Sequence, residues 1–489
     1  MMDEIGAENF KPDHLSVLKA VSSGFKDEQF RCSVDATVLQ NLSAVLSRLF
    51  HKLQVLSEDD QGGTSTALCL QLTAECLRAL RNACVLCPRN QCILRDQGCI
   101  QLTLGILGEL LKWKPASSDH FFDALRCGIQ FLGNIAVGNR LCKDYIWAHG
   151  FPHRFPILLE LSDVKAVAYT SMVLHTCLDE DKTENLGTDQ CKLKVALKII
   201  ELCRTLPDIE WTFQGCAFFK MYKMMFCRML IVTQHFFKSS GLFEKMYEAL
   251  NNQERITLLE LVSAHLGERE DEEDVIPLRT AQFLASCFQQ SCKAVLTLSS
   301  VSSSDEQALA VIRLLDILCD MTSDQRKFMP LQDHPDLLQT TINLLKEVHL
   351  LGKASRNVFS AAQDFSFKAQ GEEGTHPALS FKAHLIRLIG NLCHGHSANQ
   401  DQVRELDGIA LILDNCSIDS NNPFISQWAV FAIRNILEHN VENQKLVQGL
   451  RRQGVADDSV LREMGFCVQE RDGSLLLRPL KKENEQGEH

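Results

Sequence analysis

No P-loop, Rossmann glycine signature, nucleophile elbow or HExxH motif occurs in the sequence. Each of those motifs sets phosphate-binding amides, a nucleophile or metal ligands at a fixed spacing, so the commonest local anchors of catalysis are missing and an enzyme is not expected. A clean membrane span is missing too. The longest apolar candidate, Met221 to Phe237, carries Lys223, Arg228 and His235, charges that are costly in lipid but acceptable at the edge of a buried helix. The opening MMDEIGAENFKPDHL has no basic segment followed by an apolar one, and its second residue is Met, so neither secretion nor myristoylation is signalled. Basic charge is in short supply. Lys and Arg number 50 against 62 Asp and Glu, a formal net charge of -12, which favours solubility and disfavours duplex nucleic acid as a partner.

Paired metal-ligand motifs are scarce as well. Among 20 cysteines there is one CxxC, Cys84-x-x-Cys87, followed by Cys92 and Cys99, whereas a closed zinc site needs four converging ligands, usually from two short-spaced pairs. Most cysteines sit in apolar runs such as Ala67 to Leu80, where a thiol packs as a small hydrophobe. That usage fits a reducing compartment, and the location expected is cytoplasmic and perinuclear. No cofactor is expected.

What is present is repetition. The chain of 489 residues, 45% of them apolar, is long for one compact domain and points to several domains or an elongated array. LRALRNACVLCPRNQ from Leu77, IQFLGNIAVGNR from Ile129, IRLIGNLCHGHSANQ from Ile386 and VFAIRNILEHNVENQ from Val430 align on Asn82, Asn134, Asn391 and Asn435. An Asn-Gln pair follows eight residues later as Asn90-Gln91, Asn399-Gln400 and Asn443-Gln444, and a glycine further on as Gly98, Gly150, Gly408 and Gly449. From Asn391 to Asn435 is 44 residues, within the period of two- and three-helix armadillo or HEAT units. A fifth copy, IRLLDILCDMTSDQRKF from Ile312, keeps the leucines and Cys319 but has Ile317 in place of the asparagine.

Helical periodicity continues through Leu39 to Leu53, Val164 to Leu178, Cys191 to Leu206, Phe218 to Phe237, Ile256 to Leu266 and Leu278 to Leu298. The fold class expected is therefore all-α: an armadillo or HEAT-like solenoid, with a small β-hairpin near the C-terminus where GFCVQERDGSLLLRPL sets two β-prone runs around Asp472-Gly473. The expected organisation is a helical-repeat array over 1–351, an irregular linker or insertion over 352–380, an armadillo-type domain over 381–452, and a cap and tail over 453–489. The acidic run Glu268 to Asp274 reads as a solvated loop, and Ser302 to Ser304 as an acid-flanked connection.

The residues RLIGNLC, NQDQV, ELDGI, LILDNC and NPF, in that order between Arg387 and Phe424, with CLRALRNAC, LRCGIQFLGNIA, LNNQERITLLEL and ALAVIRLLDILC before them, resemble the ataxin-10 family, whose C-terminal domain is an armadillo-type unit. The resemblance implies a non-enzymatic scaffold with roles in neuron survival, neurite growth, cytokinesis and signalling, and a location at the midbody and the centrosome or basal body. It further implies O-GlcNAc transferase and a heterotrimeric G-protein β subunit as partners. Self-association, as a homo-oligomer, stays open.

Three readings compete for the polar residues of the repeats. In Cys393, His394, His396 and Asp401 the chemistry of a metal or catalytic site is suggestive, but two histidines two residues apart splay by about 200° on a helix, and other copies place Val137 and Asn139, or Glu438 and Asn440, there. Arg78, Asn82, Gln130, Asn134, Arg387, Asn391, Trp428 and Asn435 are candidates for a concave partner-binding face, since an inner-helix Asn can bond an extended peptide's backbone. A karyopherin-like receptor for basic peptides is the first alternative function, although the tryptophan array of such receptors is absent, and a metalloprotein or enzyme is the second. Against all of these, an Asn so placed often satisfies backbone groups of the neighbouring repeat and holds its register.

Overall fold

The computed structural model describes residues 10–56, 64–113, 119–151, 153–205, 228–267, 276–298, 305–323, 327–354, 359, 378–416, 419, 421–450, 466–471 and 474–479. The acidic run at 268–274, Ser302 to Ser304, nearly all of 355–377, and 453–465 lie outside the described residues. By contacts the chain divides into two units, one comprising 1–261 with 270–277 and the other 262–269 with 278–489. The division falls at the acidic GEREDEEDVIP stretch, whereas helices on either side of 352–380 pack on one another.

In the first unit the helices are α1 (Pro12–Gly24), α2 (Glu28–Ser33), α3 (Ala36–Val55), α4 (Thr64–Ala83), α5 (Pro88–Asp96), α6 (Cys99–Leu110), α7 (Asp119–Ala136), α8 (Arg140–Gly150), α9 (Phe155–Leu159), α10 (Val164–Cys177), α11 (Glu180–Leu186), α12 (Gln190–Thr205), α13 (Arg228–Lys238) and α14 (Ser240–Ala249), with α15 (Asn252–Gly267) at the junction. They come in sets of three. A short first helix, a second and a long third helix make one repeat, as in α5, α6 and α7. Third helices stack directly, α1 on α4, α4 on α7, α7 on α10 and α10 on α13. The reason is apolar burial on nearly every side: α4 buries Cys69, Leu72, Cys76 and Leu80 on one face and Leu70, Ala74 and Ala79 beyond it, and α7 buries Phe121, Leu125, Ile129 and Leu132 on one face and Ala124, Cys127 and Phe131 beyond it. No single-faced amphipathic helix would do this, and each repeat therefore needs its neighbours. Starts are set by side-chain caps, with Asp35 accepting from the Thr37 amide at 2.8 Å and Asp163 from the Ala166 amide at 2.7 Å.

The second unit continues the pattern with α16 (Leu278–Ser291), a 3-10 helix at Cys292–Thr297, α17 (Glu306–Ser323), a second 3-10 helix at Met329–Asp333, α18 (Leu337–Ala354), α19 (Phe381–Cys393), α20 (Ser397–Glu405), α21 (Gly408–Asp414), α22 (Ile425–Leu437) and α23 (Val441–Gly449). Its third helices α17, α19 and α22 stack in that order. Close approach is written into Gly390, where a Cβ would come within 2.9 Å of the Phe431 ring and 3.0 Å of the Ala432 Cα. The expected hairpin is present. Strand β1 (Phe466–Arg471) pairs antiparallel with β2 (Ser474–Pro479), with Arg471 opposite Ser474. Among the described residues no helix is long and apolar enough to cross a membrane.

The turn leaving each third helix that carries a ladder asparagine demands a left-handed residue four positions after it. Gly138 (φ 71°) and Gly395 (φ 61°) supply it without cost, while Leu86 (φ 49°) and His439 (φ 58°) adopt it against their Cβ. Leu86 is 68% exposed, so it contributes little packing in return. Leu86→Gly should therefore raise stability by about 0.5–1 kcal/mol, and Gly138→Leu, where a Cβ meets nothing within 4 Å, should lower it by a similar amount. Thermal melting of the full chain checks both, and unchanged midpoints would mean that this turn carries no conformational strain.

Candidate functional site

The four asparagines of the ladder are buried, between 3% and 9% exposed, and each amide nitrogen is directed at the preceding third helix. Asn134 Nδ2 donates to the Arg81 carbonyl at 3.1 Å and Asn435 Nδ2 to the Gly390 carbonyl at 2.9 Å. In both cases the acceptor stands one residue before the previous asparagine. Asn82 donates to the Ser22 carbonyl of α1 at 3.0 Å, and Asn391 to the Cys319 carbonyl at 3.1 Å and the Thr322 hydroxyl at 2.9 Å. The amides that would bond a peptide backbone are thus engaged inside the fold, holding one repeat in register on the next.

The Asn-Gln pair clamps in two directions. Gln400 Nε2 donates to the carbonyls of Asn435 (2.9 Å) and Glu438 (3.2 Å) in the following repeat, and Gln91 Nε2 to those of Asn134 (3.1 Å) and Val137 (3.0 Å). These acceptors lie in the last turn of a third helix, where carbonyls have no partner within the helix. The asparagine of the pair reaches back: Asn90 to the Arg31 carbonyl at 2.9 Å, Asn399 to the Gln332 carbonyl at 2.9 Å, and Asn443 to the Gln400 carbonyl at 2.9 Å. Gln332 was not apparent from sequence. It lies in the 3-10 helix of the degenerate fifth copy and donates to the carbonyls of Asn391 (3.3 Å) and His394 (2.8 Å), the same two positions that Gln91 and Gln400 serve. The signal available was a glutamine followed by Asp333, as Gln400 is followed by Asp401.

The histidines and acids of the 386–409 stretch belong to this machinery. His396 is the N-cap of α20, its Nδ1 accepting from the Asn399 amide at 3.1 Å while Nε2 meets Asp333 Oδ1 at 2.9 Å, which puts the ring proton on Nε2. Asn139 and Asn440 hold the same cap position. Asn440 Nδ2 likewise reaches Asp401 Oδ1 at 2.9 Å, and Asn139 Nδ2 reaches Cys92 Sγ at 3.7 Å. The Asn440 amide first, and the Arg404 guanidinium second, hold the Asp401 carboxyl below its ordinary range. Burial drives the Cys393 and Cys84 thiols well above theirs, and Cys99 and Cys142 up to about 11. Thiols so disposed are core, because metal ligation and nucleophilic attack both require thiolate. Among the described residues no group of three His, Cys, Asp or Glu side chains converges as metal ligands do.

The remaining candidates separate. Arg78 pairs with Glu75 of its own helix, and Gln130 accepts from Arg81, which also bonds Asn82 Oδ1 at 3.0 Å. In the second unit Arg387 and Trp428 are brought together. The guanidinium lies 4.9 Å from the indole centroid and Nη2 is 3.1 Å from Asp320 Oδ1, an orientation fixed on one side by charge and on the other by the ring face. Trp428 packs edge-on against Phe431 at 5.7 Å. One turn before Trp428, Phe424 is 70% exposed at φ 65°, and Val430 is 69% exposed.

Removing a buried clamp leaves helix-end carbonyls dry. Gln400→Ala and Gln332→Ala should each cost about 1–3 kcal/mol, whereas Gln444→Ala, exposed and bonded only to Leu437 of its own repeat, should stay within about 0.5 kcal/mol. His396→Ala should cost about 1 kcal/mol and His396→Asn far less. Urea unfolding of the five variants measures these differences, and a Gln444 effect equal to that of Gln400 would contradict the directional clamp.

A family model described as the spinocerebellar ataxia type 10 protein domain matches residues 381–478. Ataxin-10 of Xenopus tropicalis is 42% identical over 484 residues, covering 98% of this chain and 95% of that protein. Ataxin-10 of Bos taurus is 40% identical and that of Homo sapiens 39%, each over 468 residues and covering 95% of this chain and 94% of the relative. With similarity running through both repeat units and nearly the full length of each relative, the chain belongs to the ataxin-10 family.

Proposed function

We propose that this protein is a non-enzymatic armadillo-type scaffold that binds partner proteins, and that its second unit presents the binding face around Phe424, Trp428 and Arg387. The observation that carries this reading is the contrast at the last repeat. Polar side chains of the repeats are engaged in stacking, while Phe424 holds a strained backbone and still exposes 70% of its surface. Ser380 precedes α19 in the same left-handed conformation, so what sets Phe424 apart is the large aromatic ring it exposes there. Aromatic and arginine side chains are also the groups that dominate protein interfaces. The family resemblance supports O-GlcNAc transferase and a heterotrimeric G-protein β subunit as the first partners to test, in a cytoplasmic setting with the midbody and centrosome as further locations, and supports roles in neurite growth and cytokinesis.

Phe424→Gly separates binding from folding, because glycine accepts the left-handed backbone that Phe424 strains to hold. The expected result is unchanged or raised melting temperature with partner affinity reduced at least about tenfold, read by titration of purified full-length chain with each candidate partner. Arg387→Glu should weaken the same complexes. Full affinity in both variants, for a partner that binds the parent protein, would remove this face from the proposal.

A further inference from the structure

Two arginines that reach from one third helix to the next meet a carboxylate there, and a third does not. Arg126 of α7 donates through Nε to Asp163 Oδ1, at the start of α10, at 3.0 Å and through Nη2 to Oδ2, while Arg387 of α19 donates to Asp320 of α17 at 3.1 Å. Arg81 of α4 reaches α7 in the same way and meets an amide, its Nη1 donating to Gln130 Oε1. Its other bonds also go to a neutral group, Nε and Nη2 sharing Asn82 Oδ1 at 3.1 Å and 3.0 Å. Beyond the first turn of α7, the acids of these two helices are taken: Glu75, 5% exposed, by Arg78, and Asp123 by Arg126 at 3.6 Å. Among the described residues no carboxylate pairs with Arg81. A guanidinium has five N–H groups, so Nη1 and Nη2 each keep one that bonds no described group. Stacking does not call for this arginine either, because Gly133 and Gly390 stand before the ladder asparagine in two other copies.

We propose that Arg81 is the receptor for a carboxylate side chain, glutamate or aspartate, of a partner protein that lies along the α4–α7 face. The two remaining N–H groups sit on adjacent nitrogens, the spacing at which a carboxylate accepts through both oxygens. Arg81 and Gln130 are half-buried, which leaves the fork in reach of a partner and screens the pair less than an open surface would. The guanidinium is also set in place beforehand: Asn82, which accepts from two of its nitrogens, is itself tied to the Ser22 carbonyl at 3.0 Å, so little conformational freedom is lost on binding. Charge selects the ligand. One positive charge is unmet here, whereas a phosphate brings close to two negative ones to helices that already carry Glu75 and Asp123. A single carboxylate matches that deficit. The site lies in the first unit and is independent of the aromatic face at the last repeat.

The test immobilises the full-length protein and passes over it short degenerate peptide pools of uncharged residues that differ only in one fixed central residue, glutamate, glutamine or phosphoserine. Retention is read by mass spectrometry. The glutamate pool should be retained at least about tenfold more than the glutamine pool, the advantage of a charge-assisted bond, and more than the phosphoserine pool, with the difference shrinking as salt is raised. Gln130→Glu is the decisive variant: it supplies the missing carboxylate from within, so retention of the glutamate pool should fall to the glutamine level while the melting temperature holds or rises. Arg81→Gln should abolish the preference as well, and Phe424→Gly should leave it intact, which separates this site from the face in the second unit. Equal retention of the glutamate and glutamine pools by the parent protein overturns the proposal, as does stronger retention of phosphoserine. An undiminished preference in Gln130→Glu, or a lowered melting temperature there, overturns it too, since either would mean that a carboxylate at that position does not satisfy Arg81.

Discussion

A glutamine amide donating to the last carbonyls of the next repeat's third helix is the interaction on which the stacking rests. Every helix leaves carbonyl groups without internal partners at its end, and stacking long helices side by side buries those ends where water cannot reach them. An unmet buried carbonyl costs as much as several well-packed methylenes return. Gln91, Gln332 and Gln400 resolve the conflict with one side chain bridging two carbonyls three residues apart. Once that bridge is set, the other polar positions follow from it. The asparagine before Gln91 and Gln400 points back to the previous junction, the ladder asparagine ties third helix to third helix, and the cap residue closes the gap between first helices.

The hierarchy among these contacts is visible in the fifth copy. There the ladder position is Ile317, 1% exposed, so α17 sends no amide backward from that site, yet the forward clamp survives in Gln332 although its first helix has shrunk to a 3-10 turn. The ladder bond is replaceable by apolar packing, because losing donor and acceptor together, or shifting the burden to a neighbouring group, is tolerated far better than stranding a carbonyl. Direction matters as well. A forward clamp needs a following repeat, so Gln444, with its forward acceptors absent among the described residues, bonds only its own Leu437. The last repeat thereby differs chemically from copies it matches in sequence.

Periodicity made the repeats, the ladder positions and the terminal hairpin readable from the chain alone, since each is a pattern of residue types at constant spacing. Three features escaped for physical reasons. Gln332 sits outside the Asn-Gln signature because its repeat lost an α-helical first element, and position in space was preserved while spacing in sequence was not. The left-handed positions at Leu86, His439, Asp407, Ser380 and Phe424 carry no glycine, so backbone strain left no compositional mark. His396 beside Cys393 looks like ligand chemistry, whereas an imidazole can cap a helix through Nδ1 as an amide oxygen does, and only the comparison with Asn139 and Asn440 reveals the equivalence.

The same comparison supports the proposed scaffold role for a chain so rich in thiols, amides and imidazoles. Catalytic groups need a cleft, an open coordination position or a perturbed proton held ready. In this protein the amides are bonded in pairs across junctions, Asp401 is held ionised by Asn440 and Arg404, and the core thiols are driven toward the neutral form by burial. The amides join one repeat to the next, and the thiols pack within the core. What is left for a partner is the surface the stacking does not consume, and at the last repeat that surface is aromatic: Phe424 strained and exposed, with Trp428 beneath the guanidinium of Arg387, which Asp320 holds in place. A rigid aromatic group held by such a network loses little conformational freedom on binding, which is the property that turns a stacked array into a binding platform.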